Sequence, residues 1–231
     1  MNGKHLLVAF MALFVLTGIV AANVPINVSV SAGQQDRWPG YVGAAGSVTT
    51  EGGNVTEVNL TGTNVSTEKW AGFYGNISGG SIVLADSAGH QFYRWSSTIS
   101  NLWKVYASQD SSVTWANIDE GDWTGLPSWL TDSGAADNIY KTLTSQAASA
   151  TFAGVVVTNV NYTLTYNSTG GGDAAFPTYY LDQSTSQFED TVWATNATAG
   201  TSGFNGKTWQ YQLMVPVNRT ALTYYFYLEV N

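Results

Sequence analysis

The 231-residue sequence contains no cysteine and few charged residues. The absence of cysteine excludes disulfide bonds, thiolate catalysis and cysteine-ligated metals. Charged side chains make up 10% of the chain, against roughly 25% in an ordinary soluble domain. Acidic residues outnumber basic ones by 16 to 8, which leaves a net charge of −8. Because nucleic-acid phosphates need a basic face, we expect no nucleic-acid partner.

Small hydroxyl residues and aromatic residues take the place of charge. Serine and threonine together fill 48 positions, glycine fills 24, and aromatic residues are 13% of the chain. This composition is too aromatic and too β-branched for a disordered chain. It is also too poor in leucine, glutamate and lysine for a helical bundle. A folded, β-rich protein is the class that remains.

The first 22 residues have the pattern of a secretory signal. Lys4 and His5 precede an apolar run over residues 6–22 that ends in the small residues Ala21 and Ala22. This order predicts a signal peptide that is cleaved after residue 22. An uncleaved N-terminal anchor is the alternative, although the run is shorter than the roughly 20 residues of a spanning helix. Later apolar runs are strand-sized, so we expect an extracellular or cell-surface protein with no stable membrane span after cleavage.

Nine of the 17 asparagines lie in Asn-X-Ser/Thr sequons in which X is not proline. They are Asn27, Asn54, Asn59, Asn64, Asn76, Asn161, Asn167, Asn196 and Asn218. Roughly three or four would be expected by chance from the serine and threonine content. We expect these asparagines to lie on exposed turns and strand faces and to carry glycans, which would keep a surface with few charges soluble. The alternative is that a composition rich in Asn, Ser and Thr produces sequons without occupancy.

Apolar and polar residues alternate with period two along most of the chain, with glycine, asparagine and aspartate turns between. This pattern predicts about a dozen short strands in one domain over 41–231. The expected fold is all-β, an antiparallel β-sandwich of jelly-roll or immunoglobulin-like topology. The expected strands include a hairpin over 48–60 that turns at Gly52–Gly53, and strands over 70–76, 81–85, 91–95, 112–115 and 152–157.

Residues 117–148 interrupt the alternation. They contain acidic and proline-containing turns and run into an Ala/Ser-rich stretch over 145–150. We expect one long, partly helical loop near 117–148, with one or two short helical turns.

Three carboxylates, Asp119, Glu120 and Asp122, cluster in this loop. Oxygen-rich loops can hold Ca²⁺, which makes the three a calcium candidate. Their spacing matches no EF-hand, so a solvated acidic loop is the simpler interpretation. Paired carboxylates also serve glycosidases, but the spacing defines no pair, and His90 is the only histidine after the signal. We therefore expect no enzyme, no catalytic residue, no bound metal and no cofactor.

Two tryptophans of the same loop, Trp123 and Trp129, flank residues 124–128. A flat, exposed indole can stack on a sugar ring, so these two residues are candidates for glycan stacking. The alternative is that the loop packs over an open end of the sandwich and covers both rings. The other aromatic residues fall mostly on predicted strands, where core packing explains them.

The segment that follows the signal is an alternating apolar strand on a tether. Val24, Ile26, Val28 and Val30 share one face, and residues 33–40 are a polar, turn-rich linker. Such a strand can complete its own sheet or add to the sheet of a neighbour. Addition of the strand to the sheet of a neighbour, repeated head to tail, gives an open filament. We therefore assign residues 23–40 as a donor-like assembly strand with its tether, between the signal over 1–22 and the β-domain.

Seven short segments carry a resemblance to known proteins. They are 73–79 (FYGNISG), 82–86 (IVLAD), 93–95 (YRW), 105–108 (VYAS), 113–115 (VTW), 213–217 (LMVPV) and 223–230 (TYYFYLEV). Together they resemble a group of secreted archaeal proteins of unassigned function, which implies a secreted β-protein and nothing about catalysis. In overall plan the chain is similar to archaeal extracellular threads and bundling pili, whose subunits join by donor-strand complementation.

These observations predict a secreted, N-glycosylated structural subunit of an extracellular filament or cell-surface coat. We expect it to assemble by N-terminal strand exchange. Its expected partners are other copies of the chain, joined into a polymer, and glycans. A carbohydrate-binding or adhesive surface module is the alternative, based on the two loop tryptophans and the acidic residues. Long particles favour the first function, and a monomer that binds glycans favours the second.

Overall fold

The computed structural model describes residues 24–38, 46–62, 64–167, 174–183 and 186–231. The predicted signal peptide and part of the predicted tether lie outside these residues. Within them the chain forms fourteen β-strands and two short α-helices. The strands are β1 (Ile26–Asn27), β2 (Trp70–Gly75), β3 (Ser81–Ala85), β4 (Gln91–Ser96), β5 (Lys104–Ser108), β6 (Asp119–Glu120), β7 (Ser145–Phe152), β8 (Val155–Tyr166), β9 (Ala174–Asp182), β10 (Val192–Asn196), β11 (Thr201–Ser202), β12 (Thr208–Trp209), β13 (Tyr211–Pro216) and β14 (Tyr225–Glu229), and the helices are α1 (Ser128–Thr131) and α2 (Ile139–Thr142). Neither helix of this described part has the length or the hydropathy of a membrane span.

An eight-stranded antiparallel sheet, the main sheet, organises the fold. Its strands lie in the order β1-β14-β5-β10-β9-β8-β7, and β6 pairs with the end of β9. At its centre, Trp193 of β10 lies opposite Ala107 of β5 and Tyr180 of β9. Three two-stranded sheets complete the pairing of the described residues: β2 with β13, β3 with β4, and β11 with β12. The prediction of an all-β, antiparallel fold is confirmed.

The central strands of the main sheet are buried on both faces. Successive side chains of a strand point to opposite faces, so apolar runs such as that of β10 supply both. On the first face, Tyr106, Leu181 and Val192 form a cluster with Phe152 and Val157 of the β7–β8 hairpin. The long hairpin therefore covers the sheet to which it is also paired.

A second layer, made by the β2–β13 ribbon and the two helices, covers the opposite face. Leu213 and Val215 of β13 pack in one cluster with Tyr180 and Trp193. The Tyr180 and Trp193 rings stack with their centroids 4.9 Å apart, and Trp70 of β2 meets Trp193 edge-on at 5.7 Å. These layers are consistent with a sandwich-like fold, while sandwich packing and the choice between a jelly-roll and an immunoglobulin-like topology stay predictions.

The strand predicted over 152–157 is wrong, because these residues contain the turn of the β7–β8 hairpin. Strand β7 ends at Phe152, and Ala153 and Gly154 have φ values of 51° and 79°. Positive φ at both central residues is typical of a two-residue hairpin turn. Alanine adopts this conformation at a cost of roughly 1–2 kcal/mol, so a contact elsewhere must hold the turn.

That contact is a buried carboxylate. Glu229 of β14 is 1% exposed and accepts hydrogen bonds from the Ala153 amide at 3.2 Å, from Asn231 Nδ2 at 3.0 Å and from the Tyr106 hydroxyl. The Ala153 amide also donates to the Tyr106 hydroxyl oxygen at 3.1 Å. Burial, and secondarily the charge of Glu229, raise the pKa of Tyr106 well above its usual range. The carboxylate thus joins β5, β14 and the turn of the hairpin.

The hairpin predicted over 48–60 is also wrong. The Asn54 amide donates to the Glu51 carbonyl at 3.2 Å, so the chain turns at Gly52–Gly53 as expected. No strand forms on either side of this turn, and every residue over 46–62 is exposed. A two-stranded hairpin with no surface to pack on is marginal in water, and both faces of the central main sheet are already covered.

Residues 112–115 form no strand either. The Ser112 amide donates to Asp110 Oδ1 at 2.7 Å, and Trp115 begins a 3₁₀ turn. The Trp115 ring meets the rings of Tyr106 and Tyr227 with centroids 5.0 and 5.1 Å away. Packing of Trp115 and the buried Val113 on the core therefore replaces strand pairing.

The loop predicted near 117–148 is partly helical as expected, since it contains α1 and α2. It ends earlier than predicted, because the Ala/Ser-rich stretch over 145–150 belongs to strand β7. Ala147 and Ala150 of this stretch pack against the first face of the main sheet. Packing has overridden the weak strand preference of alanine.

Replacement of the buried carboxylate tests its role in stability. We expect Glu229→Ala to lower the free energy of unfolding by about 2–4 kcal/mol, because the buried Tyr106 hydroxyl loses its acceptor and the Ala153 amide loses one of its two acceptors. Urea unfolding followed by circular dichroism measures the change. The control is Glu51→Ala on the exposed turn, which should shift stability by no more than about 0.5 kcal/mol. Equal stability of the two variants would contradict the assignment.

Candidate functional site

The predicted assembly strand lies at one edge of the main sheet. Only two of its residues pair with β14, Ile26 opposite Leu228 and Asn27 opposite Tyr227. Val28 is half-buried and packs on the cluster of buried residues that includes Leu228. Val24, Ile26 and Val30 are 49%, 51% and 60% exposed. Of the four aliphatic residues, Val28 is thus the one that packs on a buried cluster.

The described chain that follows this strand contributes no core over residues 31–38 and 46–62. Residues 31–38 form no strand and are exposed, and residues 46–62 have the same character. Aliphatic side chains in and just after the second segment are nearly free of contacts, with Val55 101%, Leu60 90% and Val65 84% exposed. The part of the described chain before β2 therefore carries apolar surface that the folded body leaves uncovered.

None of the nine sequon asparagines is buried. Five are exposed and four are half-buried, the exposed ones being Asn27, Asn54, Asn59, Asn64 and Asn76 and the half-buried ones Asn161, Asn167, Asn196 and Asn218. Four of the exposed five lie before β2, where little else is packed. The side chain of Asn196 differs from these, because it hydrogen-bonds to the hydroxyl of Tyr179 in the neighbouring strand.

The acidic loop borders a polar cleft of about 580 Å³. Its lining residues are Asp119, Glu120, Gly121, Asp122, Trp123, Gln146, Asn159, Asn161, Asp182 and Ser186. The volume is in the range of small-ligand sites. Four carboxyl groups and no basic residue line it, which opposes anionic ligands. Amide groups and one indole make the lining suitable for a neutral, hydroxyl-rich molecule.

Close packing and hydrogen bonds hold the acidic loop in place. A Cβ at Gly121 would collide with the Tyr180 ring, so glycine is required there. The Asp122 carbonyl accepts from the Tyr180 hydroxyl. Its carboxylate accepts from Ser186 Oγ and from the amide and hydroxyl of Thr124, each of the last two at 2.8 Å. These bonds, led by that from Ser186, lower the pKa of Asp122 below its usual range.

The calcium candidate gains no support from the geometry. Asp119 and Glu120 are exposed, and the Asp122 carboxylate is occupied by its hydrogen bonds. Among the described residues, no group of three or more acidic or histidine side chains is arranged to hold a metal ion.

The two candidate tryptophans occupy different surroundings. Trp123 lines the cleft and is half-buried, with Tyr140 and Tyr180 at centroid distances of 5.2 and 5.3 Å. Trp129 is outside the cleft lining and packs edge-on against Phe188 at 5.6 Å. Part of the Trp123 indole remains available to a ligand in the cleft, whereas Trp129 belongs to the layer over the main sheet.

The lining residues of the cleft that lie outside the acidic loop are not predicted from the sequence to form a site with that loop. Gln146, Asn159 and Asn161 come from the β7–β8 hairpin, and the buried Asp182 comes from β9. Sequence spacing does not connect these positions to the acidic loop. The one local signal is Asn159 itself, an asparagine inside an apolar strand whose φ of 55° suits asparagine better than most residues.

Comparisons with protein-family models, curated proteins and solved structures find no match to this chain. The functional interpretation therefore depends on the residues and their geometry.

The contrast between sequons predicts unequal glycan occupancy. In protein purified from its native host, we expect Asn54 to be glycosylated and Asn196 to be largely unmodified. The Asn196 amide is held by Tyr179 beside the core, whereas Asn54 is fully accessible. Glycopeptide mass spectrometry measures both sites in one digest. Full occupancy of Asn196 together with a bare Asn54 would contradict this reasoning.

Proposed function

We propose that the protein is a secreted, N-glycosylated structural subunit of an extracellular filament or cell-surface coat. Subunits join through exchange of the N-terminal strand, in which residues 24–30 of one copy occupy the β14 edge of the next. The observation that carries the proposal is the half-exposed aliphatic face of Val24, Ile26 and Val30 beside a two-residue pairing with β14.

The free energy of apolar burial favours a contact that covers more of residues 24–30 than the two-residue pairing with β14 does. Fully burying one aliphatic side chain is worth roughly 1.5–3 kcal/mol, so the four-residue face offers on the order of 6–12 kcal/mol before ordering costs. About half of this remains unused in the single chain, because three of the four residues are about half-exposed. A neighbouring subunit that covers the strand would gain it.

The contact with β14 supports exchange between copies. Strand β14 spans five residues, and β1 pairs with two of them. The N-terminal strand of another copy can pair with β14 in the same register and place its Val28 on the same cluster of buried residues. Such a head-to-tail contact does not close on itself and extends into a filament. Intramolecular closure competes through its high effective concentration, so assembly depends on how well the neighbour covers the exposed face.

A carbohydrate-binding surface module is the second candidate, and the polar cleft with Trp123 favours it. Asn161 is both a sequon and a lining residue of this cleft, so a glycan on Asn161 would compete with an external sugar. A monodisperse monomer that binds an oligosaccharide through Trp123 would move this function ahead of the first.

Two point variants test strand exchange. We expect the full chain to form long particles in the electron microscope and Val28→Asp to form none, because a charge cannot enter the apolar cluster at the β14 edge. The matched control is Ser31→Asp, an exposed position of the same segment, which should assemble like the unmodified chain. Neither change removes a sequon. Circular dichroism checks that all three proteins are folded.

Two results would contradict the proposal. One is a full chain that stays monomeric at every concentration reached. The other is a folded Val28→Asp protein that assembles as readily as the Ser31→Asp control.

A further inference from the structure

The hairpin formed by β3 and β4, residues 81–96, is separate from the packed body. Its strands pair with each other and with no other described strand. None of the buried clusters of the described chain includes a residue of this hairpin. Every residue of β4 and four of the five residues of β3 are exposed. A two-stranded hairpin of this kind is marginal in water unless something covers it.

One face of this hairpin is entirely apolar. Ile82 lies opposite Trp95, and Leu84 lies opposite Tyr93, so all four side chains share a face. They are 45%, 48%, 51% and 57% exposed in that order, and the adjacent Phe92 is 86% exposed. The Tyr93 and Trp95 rings contact each other at 4.9 Å. We name the four paired residues, Ile82, Leu84, Tyr93 and Trp95, the hairpin face.

The reverse side of the hairpin is mixed in character. Val83 lies opposite Arg94, and Ser81 lies opposite Ser96. The two sides of the hairpin therefore differ: one carries only large apolar groups, and the other combines Val83 with hydroxyl groups and a cation. This asymmetry is typical of a strand pair that packs through one face.

The tip of the hairpin is polar and well ordered. Asp86 Oδ1 accepts from the amides of Ala88 at 3.0 Å and His90 at 2.9 Å. Asp86 Oδ2 contacts His90 Nδ1 at 2.8 Å, and this bond contributes most to lowering the pKa of Asp86. The apolar groups lie on the flank, not at the tip. This arrangement suits a flat protein surface and disfavours insertion of the tip into lipid.

We propose that the hairpin face is a docking surface for the same face of a second copy of this chain. The two hairpins pack face to face around a two-fold axis that runs along their strands. This axis places the aromatic strand β4 of one copy over the aliphatic strand β3 of the other, so large side chains meet smaller ones. The contact is isologous and differs from the head-to-tail contact of the proposed strand exchange.

Size and charge both favour a second copy as the occupant. Aromatic side chains carry about 150–250 Å² each, so the hairpin face exposes on the order of 500 Å² and a pair would bury about 1,000 Å², where specific interfaces begin. Asp86 and Arg94 are the only aspartate, glutamate, lysine or arginine residues over 81–96, so their charges cancel. Two copies of a chain with net charge −8 repel over most of their surfaces, and this neutral hairpin is where they can approach.

Analytical ultracentrifugation of matched variants tests the proposal. We expect the full chain with Val28→Asp, which blocks strand exchange, to form a dimer. Adding Leu84→Asp on the hairpin face should weaken that dimer at least 100-fold, because a two-fold interface contains each substitution twice. Adding Val83→Asp instead, next in sequence but on the reverse side, should leave the dimer within a few-fold of the parent. Circular dichroism confirms that each variant is folded.

Cross-linking tests the orientation of the two hairpins. The chain has no cysteine, so Ser87→Cys introduces a single thiol at the tip. A two-fold axis along the strands brings both tips to the same end, and a short bismaleimide should therefore join the subunits of the dimer. A dimer that forms without this cross-link would overturn the proposed arrangement.

Three other outcomes would also overturn the proposal. The first is a Val28→Asp chain that remains monomeric. The second is equal weakening of the dimer by Leu84→Asp and Val83→Asp. The third is binding of the Val28→Asp chain to phosphatidylcholine vesicles, abolished by Leu84→Asp, which would assign the face to lipid. Because strand exchange is blocked throughout, these failures are separate from failure of the proposed filament.

Discussion

Trp193 and Tyr106 illustrate the constraint on which the rest of the structure depends. They lie on adjacent central strands and point to opposite faces of the main sheet, and both are fully buried. A sheet that is apolar on both sides must be covered on both sides. The β2–β13 ribbon and the helices cover the face of Trp193, and the β7–β8 hairpin covers the face of Tyr106. The hydrogen bond that the Ala153 amide donates to Glu229 holds the β7–β8 hairpin in place.

Coverage of the main sheet on both faces explains why so much apolar surface stays exposed in other parts of the described chain. With both faces of the central strands occupied, the β3–β4 hairpin has no core to join, and the aliphatic face of the N-terminal strand reaches one only through Val28. Both keep an aliphatic or aromatic face in contact with water, which is uncommon for a monomer. A protein with 10% charged residues has little other means of keeping such surfaces apart. Glycans on the exposed sequons, and partners that cover the two faces, are a consistent physical solution.

The sequence predicts the fold class well because strand alternation is a local property. The periodic residues of β2, β3 and β4 lie within a residue of their predicted bounds. Predictions fail where a distant contact decides the conformation. Trp115 turns away from strand geometry to reach two tyrosines, and Ala153 takes a positive φ because Glu229, 76 positions away, accepts from its amide.

The candidate sites, too, are predictable from the sequence where the pattern is local and not where distant elements meet. Alternation identifies the apolar face of the assembly strand, and the break in alternation identifies the acidic loop with its tryptophans, because each pattern lies within one segment. It does not reveal that Asn159 and Asp182 complete a cleft with that loop, since three separate elements meet there. The alternation of β3 and β4 is also visible in the sequence, but their isolation from the core is a property of the tertiary structure.

Hydrogen exchange measured by mass spectrometry tests the central claim most directly, namely that the N-terminal strand is incompletely covered until subunits assemble. It compares the amides of residues 24–32 in the dilute monomer and in assembled material. The account predicts rapid exchange in the monomer, apart from the pairing at the β14 edge, and strong protection after assembly, while the amides of β5 and β10 stay protected in both. Residues 24–32 that are already fully protected in the monomer, or that stay unprotected in the assembly, would contradict it.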